Sequence, residues 1–175
     1  ELVHKKLGEV VVKTYEDSGK EYFSEKNLNE LNERIKWADV VAIGPGLGRN
    51  KETQRAVISF LKKYRNKNVV IDADAVFALG QGRYKKLNLK NCVLTPHLAE
   101  FSSLIGISNS ELKKDILKYG KAFVKRTGAY LVLKGAPTII FTPEGDSLIN
   151  TTGNPALAKF GTGDVLTGFL AGLLS

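Results

Sequence analysis

Gly161-Thr162-Gly163-Asp164 stands directly ahead of an apolar run, and it is the stretch best equipped for chemistry. Val165, Leu166, Phe169, Leu170, Leu173 and Leu174 recur at helical spacing, which predicts a helix starting near Thr162–Asp164. The first N–H groups of a helix lack intrahelical partners and carry the positive end of its dipole, so Gly161, Thr162 and Gly163 could cradle a phosphate. Asp164 sets a carboxylate beside that cradle, where it could take a proton from a substrate hydroxyl. The same residues also make an ordinary turn and cap, since Asp is a favoured N-cap.

Four other loops carry candidate residues. Gly44-Pro45-Gly46-Leu47-Gly48-Arg49-Asn50 is a Gly-rich turn, but Arg49 stands where a dinucleotide fingerprint has its third glycine, and no segment fits a Walker A loop. Asp72 and Asp74 could hold Mg²⁺ through waters or could orient loops. His97, after Thr95-Pro96, is structural or ligand-facing, and Glu100 either caps a helix or bonds a ligand. No second His or Cys gives metal-ligand spacing, so no protein-held zinc is expected and no residue is assigned as a metal ligand. Lys134, beside Gly135, suits a point charge on a phosphate or a plain surface position.

The elements that must position these residues alternate. Continuous apolar runs at Asp39–Ile43, Val69–Ile71, Cys92–Leu94 and Tyr130–Leu133 read as strands, the first of the kind buried on both faces of a parallel sheet. Residues 9–14 read as a further strand. Thr138–Phe141 and Ser147–Ile149 flank a turn at residues 143–146 and read as a hairpin. Helices are predicted over 27–35, 51–64 and 99–105, the last closed by Gly106. Another opens at the capping box Ser108-Asn109-Ser110-Glu111 and runs, burying Leu112, Ile116, Tyr119 and Phe123, to Gly128. The class is therefore α/β with a largely parallel sheet. In such a sheet ligands bind at the carboxyl ends of the strands, so loops 44–50, 72–75, 95–100 and 134–138 should converge near Gly161–Asp164.

With 175 residues, 43% hydrophobic and 25% charged, one ordinary globular domain is expected. No stretch approaches the roughly 20 apolar residues of a membrane span, and the N-terminal residues lack a signal-peptide core, so no membrane association is expected. Cys92 is the only cysteine, which excludes an internal disulfide and points to a reducing, cytoplasmic compartment. The net charge of +8 could attract a polyphosphate, but no aromatic-interleaved basic run argues for nucleic acid.

Taken in order, Ile43-Gly44-Pro45-Gly46-Leu47-Gly48, Ile71–Ala75, Thr95-Pro96-His97, Lys134-Gly135-Ala136 with Thr138, Gly153-Asn154-Pro155 and Gly161–Gly168 resemble the ADP- or ATP-dependent NAD(P)H-hydrate dehydratases, which are ribokinase-like. The resemblance runs over nearly the whole chain and is weakest before Trp37. It implies repair of hydrated NADH or NADPH: the terminal phosphoryl group of ADP or ATP activates the added hydroxyl, and loss of phosphate restores the cofactor. It also implies roles. Asp164 would be the base and would touch the substrate. Gly161, Thr162 and Gly163 would hold the transferring phosphoryl group. Lys134, Gly135, Thr138 and Asn154 would line the nucleotide site, and Gly46, Gly48, His97 and Glu100 would contact the hydrated dinucleotide. Mg²⁺, a homo-oligomer, and an NAD(P)H-hydrate epimerase fused or acting alongside belong to the same expectation.

Three departures from the family pattern stand out. Residues 156–160 replace its usual Gly-Met-Ala-(small)-Gly with Ala-Leu-Ala-Lys-Phe, putting Phe160 against the cradle, where it could narrow the site or stack on a base. Leu98-Ala99 replaces Pro-Gly after His97. The family's opening Gly-rich strand-helix-strand unit and its closing helices are not evident, so residues 1–175 are expected to be one domain in fragment form. A ribokinase-like small-molecule kinase of the hydroxyethylthiazole or hydroxymethylpyrimidine type shares the Gly-x-Gly-Asp anion hole, and a nucleotide-binding regulator without turnover is the other alternative.

Overall fold

Apolar runs too short for a helix become strands, and the amphipathic stretches between them become the helices that cover the sheet. A computed structural model describes residues 10–15 and 19–175. Strands β1 (Val40–Ile43), β2 (Asn68–Ile71), β3 (Cys92–Leu94) and β4 (Tyr130–Leu133) pair in parallel, in chain order. Among the described residues, β5 (Thr138–Phe141) and β6 (Ser147–Asn150) complete a six-stranded sheet as an antiparallel hairpin, so the sheet is mixed but mainly parallel.

Parallel strands added in sequence place their right-handed crossovers on one face. The connecting helices α3 (Lys51–Lys63), α4 (Ala73–Leu79) and α5 (Leu98–Ile105) pack side by side there. Their apolar stripes meet Ile71, Leu94 and Leu131 in a core holding Val57, Phe60, Leu79, Phe101 and Phe123. At roughly 1.5–3 kcal/mol for each large side chain buried, this core fixes that layer. The helix α8 (Thr162–Leu174) crosses β1 and β2 on the other face, over Val70, which is buried but outside the main core.

Several elements differ from the sequence expectation. The described residues 10–14 form no strand, and Glu9 lies outside the described residues. The helix expected over 27–35 is two short ones, α1 (Glu25–Glu30) and α2 (Asn32–Trp37), meeting at Leu31. β1 is an edge strand with Ala42 exposed, because among the described residues no strand lies beyond it. α4 begins directly after β2, where a loop was expected. The helix opened by Ser108 breaks at Asp115 into α6 (Asn109–Lys114) and α7 (Ile116–Thr127), since the Asp115 carboxylate accepts from Lys118 N at 3.0 Å and so caps a new start. Apolar as its sequence is, α8 buries only Thr167, and Val165, Phe169 and Leu173 are exposed. Among the described residues no helix is long and apolar enough to cross a membrane.

Candidate functional site

The parallel ladder continues just past the strand ends and holds the loops in register. Asp72 N donates to Ile43 O (3.1 Å), Thr95 N to Ile71 O (3.1 Å) and Lys134 N to Pro96 O (2.9 Å). Residues from three loops therefore lie side by side on one edge, with His97 paired to Lys134 through a parallel bridge. The start of α8 meets them there. A Cβ built on Gly163 would lie 3.5 Å from Lys134 Nζ and 3.6 Å from Asp72 Oδ2.

Asp72 is the hub of this edge. It is 2% exposed, and its carboxylate accepts from Lys134 Nζ at 2.8 Å on one oxygen and from Thr167 Oγ1 at 2.9 Å on the other. An unpaired buried carboxylate would be costly, and the ammonium and hydroxyl relieve it. Lys134, with a side chain one-quarter exposed, is thus a tethered cation beside the helix start and no loose surface lysine.

Asp74, two residues on, holds the Gly-rich loop. Its carboxylate accepts from Gly48 N (2.9 Å) and from Arg49 Nε (3.0 Å), and the Arg49 guanidinium lies 4.6 Å from the centre of the Phe77 ring. Arg49, read from the sequence only as a missing glycine, is a clamp. Between the two acids Ala73 takes φ +45°, a conformation uncommon outside glycine that tends to mark functional sites. Gly44 (φ +135°) packs so closely on the Asp72 carbonyl that a Cβ would lie 1.8 Å from it. Gly46 and Gly48 both have positive φ and face open space.

His97 and Glu100 cap α5 together. Glu100 N donates to His97 Nδ1 (3.2 Å), and His97 N donates to Glu100 Oε2 (2.8 Å). Because Nδ1 accepts, the neutral ring carries its proton on Nε2, 3.5 Å from Glu100 Oε1. Thr138 Oγ1 donates to Gly135 O (3.0 Å) and closes that turn, while Asn154 Oδ1 accepts from Ala156 N (2.8 Å) in an exposed turn. Phe160 projects wholly into solvent, so it neither fills nor narrows the cradle.

At the start of α8, Gly161 adopts φ +86°, and among the described residues no side chain caps the helix. Thr162 N donates to Lys159 O (3.3 Å) and is not an open donor, whereas Gly161 N, one of the other two expected donors, has no hydrogen-bond partner among the described residues. Gly163 N and Asp164 N have no partner among the described residues. The exposed Asp164 carboxylate has no hydrogen-bond or ion-pair partner among them either. It borders an apolar cleft of about 490 Å³ that also reaches Ile43, Gly44, Pro45 and Leu47. One edge therefore combines open amides, a tethered ammonium and a carboxylate without a partner among the described residues. Asp72 and Thr167 were not singled out as this pair; a lone Thr at i+3 from Asp164 in an apolar helix was the available signal.

The carboxylates do not form a cage for Mg²⁺. Asp72 and Asp74 already face cationic or N–H and O–H donors, and among the described residues no group of three or more His, Cys, Asp or Glu could hold a metal.

This arrangement of sheet and helices defines a ribokinase-like protein. A ribokinase-like superfamily protein from Enterococcus faecalis superposes with a TM-score of 0.75 at 31% identity, over 87% of this chain and 52% of that one. Within that class the chain belongs to the NAD(P)H-hydrate dehydratase family, whose family model matches residues 1–175. It is similar to the bifunctional NAD(P)H-hydrate repair enzyme Nnr of Thermofilum pendens, 38% identical over 94% of this chain and 32% of that protein. It is also similar to the Bacillus subtilis ADP/ATP-dependent NAD(P)H-hydrate dehydratase co-crystallized with ATP/Mg²⁺ and soaked with CoA, with a TM-score of 0.62 and 37% identity over 78% of this chain and 48% of that one. The chain thus spans about half the length of these solved relatives and a third of the bifunctional one.

Proposed function

We propose that the protein repairs hydrated NADH or NADPH, using ADP or ATP as the phosphoryl donor. The observation that carries this reading is the meeting, at one sheet edge, of the open Gly163 and Asp164 amides with the tethered Lys134 ammonium and the free Asp164 carboxylate. Asp164 takes the proton of the substrate hydroxyl, and that oxygen attacks the terminal phosphorus while the bridging P–O bond of the nucleotide breaks. The amides and Lys134 meet charge on the moving phosphoryl oxygens. The C–O bond then breaks, phosphate departs, a ring proton is lost and the double bond returns. Gly46, Gly48, His97 and Glu100 contact the hydrated dinucleotide in this reading, and Lys134, Gly135, Thr138 and Asn154 contact the nucleotide.

Mg²⁺ would arrive on the nucleotide phosphates, as an ion that dehydrates reluctantly and favours few protein ligands. A cytoplasmic setting, self-association and cooperation with an epimerase complete the proposal, the last supported by the bifunctional name of the Thermofilum relative. The test is a coupled assay that supplies hydrated NADH with ADP or ATP. Return of reduced-nicotinamide absorbance with release of phosphate is expected; no return with either nucleotide overturns the reading.

A further inference from the structure

We propose that Asp72 is a positioning residue for the phosphate end of this site, setting Lys134 and the start of α8 together with one buried carboxylate. Asp72 occupies the N-cap position of α4, where an Asp side chain ordinarily accepts from its own helix. It makes no such bond. The carboxylate turns away, one oxygen to Lys134 and the other to Thr167, and leaves the Asp72 carbonyl to receive Ala75 N at 3.1 Å. Thr167 is the only residue of α8 that is buried, so this hydroxyl is the polar anchor of a helix whose apolar side chains bury little. The strained Ala73 separates the duties of its neighbours. Asp72 faces α8 and Lys134, whereas Asp74 faces the Gly-rich loop.

Two consequences follow for an anion at Gly163. The ammonium stands 3.5 Å from where a Cβ on Gly163 would lie, and its hydrogen bond to Asp72 holds it beside the helix start. The helix start is fixed relative to that charge because both hang on one carboxylate. Asp72 acts through Lys134 and Thr167 and does not itself touch the phosphate. This inference rests on the proposed phosphoryl site but not on the dehydration that follows.

The test titrates ADP and inorganic pyrophosphate into the full chain by calorimetry, for wild type, Asp72→Asn, Lys134→Met and the double variant. Each single change is expected to weaken both ligands by about ten- to a hundredfold, the range of a charged hydrogen bond. The double variant should be no weaker than Lys134→Met alone, because residues that act as one unit are not additive. In Asp72→Asn, acetylation of Lys134 read by mass spectrometry should speed up, a change that loss of packing elsewhere would not produce. Should Asp72→Asn fail to fold, Thr167→Val stands in for it: binding should weaken, and Thr167→Ser should restore it. Multiplying effects, an unaltered acetylation rate, or a wild type that binds neither ligand overturns the proposal. Pyrophosphate binding with the expected coupling, but no restored cofactor, leaves the tether standing and overturns only the dehydratase reading.

Discussion

Replacing Gly163 by alanine separates stability from function. Gly163 lies in the first turn of α8 without a positive φ, so an alanine there is conformationally free. Its new methyl would lie 3.5 Å from Lys134 Nζ and 3.6 Å from Asp72 Oδ2, both ordinary van der Waals distances, so no backbone has to move. Alanine also favours helix over glycine by about 0.8–1 kcal/mol in an interior, and by less this near the end. Stability should therefore stay within about 1 kcal/mol of wild type, which for a domain of this size moves the unfolding midpoint by about 2–4 °C. Binding is another matter. The methyl covers the side of the ammonium that faces the helix start, so an anion at the open amides loses one charged partner, worth about 1.5–3 kcal/mol. Nucleotide affinity should fall by about ten- to a hundredfold while the melting curve barely shifts. Calorimetric ADP titration beside thermal unfolding reads both quantities. Unchanged ADP affinity would refute the idea that the approach of Lys134 to Gly163 serves ligand binding, and a collapse of stability would refute the packing on which it stands.

Asp164→Asn should retain the fold, since the carboxylate is exposed, and should lower turnover by about 10²–10⁴ in the coupled assay as the proposed proton acceptor is lost. Gly44→Ala should destabilise the protein by more than about 3 kcal/mol in urea, because its Cβ would meet the Asp72 carbonyl oxygen at 1.8 Å and that atom belongs to backbone. Burial pushes the Cys92 thiol up to about 12, so native protein at pH 8 should resist thiol reagents until denatured; the sign also requires stability to fall as pH rises above about 9, where the unfolded thiol ionises first.

Local chemistry made much of the fold legible. Apolar runs of three or four residues marked the strands, Gly106 and Gly128 marked helix ends through the left-handed conformation they adopt, and Ser108 marked a start through its cap. Such signals act within a turn or two of chain, so spacing alone reveals them. They also misled locally. Asp115 reads as one more polar position on a continuous stripe until its carboxylate accepts from Lys118 N, and residues 10–14 have strand-like composition but form no strand.

The sequence by itself determined the alternation of strands and helices, the loops that bear candidate chemistry, and the helix start at Gly161–Asp164. Only the tertiary structure decided what those loops do to one another. Asp72 finds its partners 62 and 95 residues away, and Asp74 reaches back 25 and 26. No periodicity spans such separations, because a side chain chooses among donors only after the sheet has brought them within hydrogen-bond distance. The same carboxylate that the sequence would assign to Mg²⁺ or to loop orientation becomes, once Lys134 and Thr167 arrive beside it, the tie between a charge and a helix.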